Sequence, residues 1–382
     1  MSTIKVDGIR SNSASSDAIT LANDGTCTAN VTNNLSNRNK IINGSMLVAQ
    51  RGTTFSAGAS ELFTLDRFKT EIGSAFNFDT TITQETDSPN GFQKSLKITP
   101  DSTQTVNASK NAGIFTHLEG QDLQDFASGT SGAKKVVFSF YAKSASSNNN
   151  HQYSIFIRFR NGSNYAKLAK SFTVTTSWQR FSVAFDFDTS TNQIGTASSD
   201  ICTAGVFLVT GPDDLVSDMT SLSNTTSSSF QGVTGQDNFM DNTINEFYIT
   251  CMQLEVSPSG LPTDFEHKSY DQELTLCQRY CQIYVNPRLR GVLSGSAEFQ
   301  RMGFTLLKKM RAAPSATWSG SQNVYSGSGT ATITGMNAVY TNDDSFEIDS
   351  ATSGTLGTGQ GSAVCAYIHT SAATLTLTSE LA

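Results

Sequence analysis

The sequence predicts an all-β protein: a β-sandwich, then a short helix and a smaller C-terminal β domain, with an extended N-terminal arm in front. Three observations carry this expectation. Ser, Thr, Phe and Gly are abundant while charged residues make up only 15% of the chain, which suits short strands and many turns better than helices. Apolar and polar residues alternate most cleanly at 153–160 and 181–187, so each segment buries one face and wets the other. A length of 382 residues exceeds what one ordinary core organises and favours two cores with attachments.

Residues 1–42 are rich in Ser, Thr, Asn and Asp, with brief apolar stretches at Ile4-Lys5-Val6 and Ile19-Thr20-Leu21. Such a segment buries too little apolar surface to offset its own ordering entropy, so it is either a disordered tail or an anchoring arm whose short strands pair with other subunits, and the arm is the expectation. Within 43–268, eight runs bounded by Gly, Ser, Asn, Asp or Pro read as strands: 62–68, 95–98, 136–142, 153–159, 172–174, 178–187, 206–209 and 247–254. The polar stretches 144–150 and 221–238 read as loops at the sandwich ends.

Ser269 with Gln272 three residues on has the arrangement of a capping box and opens the helix. Its apolar positions are Tyr270, Leu274, Cys277, Cys281 and Tyr284, a narrow seam that packs either on a sheet or on another helix at an oligomer interface. Strand and turn chemistry then returns at 304–307, 316–318, 331–333, 345–348, 364–368 and 374–377, making 269–382 the helix plus a second, smaller β domain.

A net charge of −7 with no basic run argues against a nucleic-acid partner. No stretch of 18 apolar residues suggests membrane insertion, and the opening residues lack the apolar core of a signal peptide. The cysteines at 27, 202, 251, 277, 281 and 365 have neither framework nor zinc spacing, so reduced, buried thiols are expected. Cys277 and Cys281 are placed on one helical face without a nearby His, which points to burial rather than metal ligation. The histidines at 117, 151, 267 and 369 fit no metal motif, and neither a phosphate loop nor a G-x-S-x-G elbow occurs. No cofactor, metal or catalytic residue is therefore expected. Asp186, Asp188, Ser190 and Asn192 alternate like the start of a calcium loop, but Thr191 and Ala197 replace its Gly and Glu, leaving a solvated strand end. Paired carboxylates able to cleave a glycosidic bond meet in space, so spacing neither finds nor removes them.

The ligand-binding candidates are Trp178, Arg158 and Arg160. Trp178 has the opposite parity to Phe181, Val183, Phe185 and Phe187; exposed, it would stack on a sugar ring, and inward it is core. Arg158 and Arg160 either bind anionic sugars or solubilise a sheet face.

Asn43-Gly44, Gln50-Arg51-Gly52-Thr53, Leu65-Asp66-Arg67-Phe68, Trp178-Gln179-Arg180, Met252-Gln253-Leu254-Glu255-Val256, Asp264-Phe265-Glu266-His267-Lys268-Ser269-Tyr270 and Leu276-Cys277-Gln278-Arg279-Tyr280 come together along the chain. They resemble the NG, QRGT, DRW, QLE, FEHRS and CQRY signatures of a bacteriophage tail-fibre, or receptor-binding, family, with Phe68 in place of the Trp. The resemblance covers most of 43–285. It implies a jelly roll related to carbohydrate-binding modules over 43–268, followed by a distal β domain. It also implies a homotrimeric virion protein that attaches to a host surface polysaccharide without cleaving it. The opening segment is similar to the starts of marine phage fibres, which implies that the arm docks on other tail or capsid proteins. No ligand set comes with the family, and Arg51, Asp66 and Arg67 suit a structural ion-pair network or a binding site equally. The rival readings are a purely structural decorating fibre and a polysaccharide depolymerase.

Overall fold

A computed structural model describes residues 36–381 except 74–75, 109, 145–149, 294–298, 327–328, 354–362 and 368–372, and of the first 35 residues 6–13, 15, 17–21, 23 and 27–29. The first large region contains β1 (Thr54–Ala57), β2 (Phe68–Ile72), β3 (Thr80–Glu85), β4 (Ser95–Pro100), β5 (Asn111–Glu119) and β6 (Lys135–Ser144). It continues with β7 (His151–Asn161), β8 (Asn164–Val174), β9 (Gln179–Asp186), β10 (Ile201–Thr210), β11 (Ser223–Thr225) and β12 (Phe247–Val256). One sheet has the order β11-β8-β7-β10-β5-β2 and the other β9-β6-β12-β4-β3-β1. Neighbouring strands are antiparallel in both, giving an all-β jelly-roll sandwich.

The alternation read from sequence sets the faces. Ile155, Ile157 and Phe159 of β7 and Val183 and Phe185 of β9 enter the core, where Phe159 meets Phe187 at 4.8 Å and Phe140 meets Phe172 at 5.2 Å. Strand β5 escaped the pattern because it is buried at every position and so shows no alternation. The run at 62–68 is not a strand. Arg67 takes φ 72° there and only Phe63 and Lys69 bridge, so the chain turns before β2 begins at Phe68.

Ser269 caps α1 (Tyr270–Gln278) as expected, accepting from Gln272 N while the Gln272 side chain accepts from Ser269 N. The helix then stops, and β13 (Cys281–Val285) follows. The expected five-residue seam is therefore corrected. Cys281 and Tyr284 lie on β13, Tyr270 is exposed, Leu274 is half-buried and Cys277 is buried. The reason is local: Cys-Gln-Ile-Tyr-Val favours strand, and its ladder partner is residues 374–378.

Beyond lie β14 (Arg290–Leu293), β15 (Phe299–Thr305), β16 (Ser315–Gly320), β17 (Gln322–Ser326), β18 (Gly329–Thr341), β19 (Ser345–Ser353), β20 (Ala363–Tyr367) and β21 (Ala373–Thr378). The order β14-β15-β19-β18-β17-β20 closes a barrel, and β13-β21-β16 forms a small sheet beside it. Met302, Val324, Ile333, Phe346, Ile348, Leu375 and Leu377 make a hydrophobic cluster separate from that of the sandwich.

In the arm, strands Gly8–Ile9, Ile19–Leu21 and Cys27–Ala29 pair with one another in a small antiparallel sheet. The expected features at residues 4–5, the loop at 145–149, Ile368 and His369 lie outside the described residues.

Candidate functional site

The outer face of the β11-β8-β7-β10-β5-β2 sheet carries two kinds of surface. At one end Phe115, Phe156 and Phe207 pack with Val233 and Phe230 from the chain that crosses over them after β10. Beside them opens a cleft of about 280 Å³ lined by Lys69, Glu71, His117, Arg158, Arg160 and Tyr165, with Glu61, Thr203, Ser228 and Phe230 at its margins. Register explains the gathering. Lys167 of β8 stands opposite Arg158 of β7, Arg158 opposite Thr203 of β10, and Thr203 opposite His117 of β5, one transverse row over four strands.

Each cation in the cleft has a distinct environment. Lys69 Nζ sits 2.8 Å from Glu61 and 3.1 Å from Glu71, and His117 Nε2 is 2.7 Å from Glu71. Burial acts to raise the Glu71 carboxyl, but His117 and Lys69 overcome it and hold it down at about 2. Burial and the nearby Glu71 push Glu61 up. A raised and a lowered carboxyl in one cleft is what acid–base hydrolysis requires, yet here both carboxylates are paired with the same Lys69 ammonium.

Arg158 donates to Ser228 O at 2.7 Å and Thr203 Oγ1 at 3.3 Å, and its guanidinium lies 4.5 Å from the Phe230 ring centre and 5.6 Å from that of Tyr165. Arg160 donates to Gly162 O and lies 5.8 Å from Tyr165. Lys167, 1% exposed, donates to Ser229 O at 2.6 Å. Burial lowers Arg158, and burial with the Arg158 charge opposite brings Lys167 down to about 8.

Trp178 does not join this cleft. It precedes β9 in the other sheet, where its indole Nε1 donates to Asp87 at 3.0 Å, its ring meets Tyr248 edge-on at 6.2 Å, and Lys143 pairs with the same Asp87. The three ligand-binding candidates thus divide: Arg158 and Arg160 together, Trp178 apart. Sequence reading missed Lys69, Glu71, His117, Tyr165 and Lys167. For Lys167 a signal existed: Gly162-Ser163 is a two-residue hairpin turn with Gly162 at φ 60°, and counting back from Asn161 opposite Asn164 sets Arg158 against Lys167.

The motif residues converge elsewhere, at the joint between sandwich and barrel. Asn43 donates from its side chain to Val48 O and Asp66 O and from its backbone to Glu273, while a Cβ on Gly44 would meet Met252 O at 2.2 Å. Gln50 binds both carboxylate oxygens of Asp66 and reaches Cys281 O. Arg51 and Arg67 both pair with Glu380, Arg67 also lies 3.5 Å over the Tyr280 ring, and Arg279 and Tyr280 share Glu119. His117 Nδ1 contacts Leu381 O at 3.0 Å. Arg180 donates to Ser139 and Thr263 O, and Gln253 and Glu255 tie down residues 263–266. Arg51, Asp66 and Arg67 therefore form a structural network. Burial pushes up the thiols of Cys277 and Cys281 beside it, the latter to about 12, and the two cysteines lie on different elements.

Asp188, at the calcium-like run, spends its Oδ1 on Ser190 N, Ser190 Oγ and Thr191 N, which lower its carboxyl to about 2. Among the described residues no group of three potential metal ligands gathers, and no helix is long and apolar enough to cross a membrane.

No family model and no curated protein matches the chain. Among solved structures it is similar to the enzymatically active domain of tailspike protein 4 of bacteriophage CBA120, at 14% identity and TM-score 0.29 over 57% of this chain and 21% of that one. It is also similar to the CBM22-1 xylan-binding domain of Paenibacillus barcinonensis, at 11% identity and TM-score 0.27 over 53% of this chain and 92% of that one. A family 11 carbohydrate-binding module of Clostridium thermocellum gives 11% identity and TM-score 0.27, over 53% and 95%.

Proposed function

We propose that the protein is a non-catalytic, glycan-binding surface fibre of a bacteriophage particle that attaches to a host surface polysaccharide. The observation that carries this is the cleft: Tyr165 and Phe230 flank two guanidiniums on the face of a hydrogen-bonded six-stranded sheet, aromatic planes and fixed donors being what a sugar ring and its oxygens need. The motif resemblance supports the virion setting, with the arm docking on other tail or capsid proteins and three chains assembling. Individually weak sugar contacts then combine through effective concentration.

A glycan array probed with the full chain tests the reading. Wild type should give carbohydrate signal that Tyr165→Ala weakens several-fold, the order expected for one aromatic contact of about 1 kcal/mol. A specific observation favours a second reading, a purely structural fibre: the motif residues are committed to the joint. Array silence with normal incorporation of the chain into particles would establish that reading instead.

A further inference from the structure

Resting on the glycan-binding reading of this cleft, the charge arrangement narrows the ligand. Arg158 and Lys167 are direct cross-strand partners, a like-charged placement that destabilises a sheet unless something offsets it. Arg160 follows on the same face of β7. The acceptors that hold the three are neutral oxygens of Ser228, Thr203, Gly162 and Ser229, and among the described residues none of the three joins an ion pair. The two carboxylates that line the cleft are engaged by Lys69 and His117. Arg158 Nε is buried and makes no hydrogen bond. Glu71 acts on Arg158 and Asp214 on Lys167, but neither carboxylate pairs with them, so three crowded cations whose hydrogen bonds all go to neutral oxygens leave a place for a further negative charge.

We infer that the cleft binds the acid group of an acidic glycan, a carboxylate or sulfate received by Arg158 and Arg160, with the buried Lys167 adding its charge from the neighbouring strand, while Tyr165 and Phe230 contact the sugar ring. Arg suits this role because its planar fork matches a carboxylate or sulfate edge, and replacing it with Lys keeps the charge but loses the fork.

The test uses the full chain against a panel of neutral, carboxylated and sulfated polysaccharides, with polygalacturonate and its carboxyl-reduced derivative as a matched pair. Affinity and thermal stabilisation are read at low and high salt. The expected result is preference for acidic members, weakened by salt, with about a tenfold loss in Arg158→Gln and a smaller one in Arg158→Lys. Lys167→Met, which relieves the crowding, should melt no lower than wild type yet gain less stabilisation from acidic glycans than wild type does. That combination separates a binding role from a folding defect. If neutral glycans bind as well as acidic ones, with binding lost in Tyr165→Ala and kept in Arg158→Gln, the charge inference falls and the glycan reading stands. If no member of the panel binds the wild-type chain, both fall.

Discussion

At the joint, Arg51 and Arg67 pair with Glu380 and Arg279 with Glu119, whereas on the sandwich's outer face Arg158, Arg160 and Lys167 hydrogen-bond to neutral oxygens. Both regions take guanidiniums out of water. In the first, each charge is removed from solvent together with its counter-charge, which holds two regions of the chain in one geometry. In the second the carboxylate acting on Arg158, Glu71, pairs with Lys69 and His117 instead, and the like-charged Arg158 and Lys167 stay opposite each other. The lesson is that the motif residues mark the first kind of region and are silent about the second.

The largest test of this contrast is Glu380→Ala. It strands the Arg67 guanidinium, 2% exposed, and should cost about 3–5 kcal/mol in chemical denaturation. A loss under 1 kcal/mol would mean the joint is not held by its charges.

Acid comes next. Glu71 has its carboxyl lowered from 4.5 to about 2 in the fold, so its contribution is fully present above pH 4.5 and is lost as pH falls toward 2. Wild type should lose about 2–3 kcal/mol over that window relative to Glu71→Gln. Parallel curves for the two proteins would remove Glu71 from the account.

Smaller, and opposite in sign, is Lys167→Met, expected to gain about 0.5–1 kcal/mol without ligand by removing the like-charged pair. A clear destabilisation would show that the crowded cations support the fold after all. Least of all, Trp178→Phe should cost about 0.5 kcal/mol through the half-exposed bond to Asp87 and leave glycan affinity unchanged. Altered affinity would move the site to the other sheet.

How far the sequence could be read depended on the range of the physics involved. Alternation at 153–160 and 181–187 and the Ser269–Gln272 cap are local, and each appears as read. The spacing through Cys281 and Tyr284 failed because five residues can satisfy a helical seam on paper while their strand partner lies at 374–378, far along the chain. The apolar run at 62–68 hides a turn: Arg67 takes φ 72° where Phe68 N donates to Leu65 O and Thr64 N to Phe68 O, and neither Gly nor Asn marks the position. Arg158 and Arg160 were legible as a pair, but the residues that make them a cleft come from β2, β5, β8 and β10, and only sheet order joins those.

The Arg67–Glu380 contact spans 313 residues, while Arg158 and Lys167 meet across one hairpin. Loop-closure entropy makes contacts of such separation late ones, so the sandwich hairpins assemble well before the joint does. Interactions missing from the folding transition state leave the folding rate nearly untouched and act on the reverse step. The energy held in the Glu380 network therefore sits almost wholly on the unfolding limb of a chevron plot, making the joint a brake on unfolding. Under the fibre role proposed above, where a fold lost outside a cell is not rebuilt, persistence of the native state would be set by that rate.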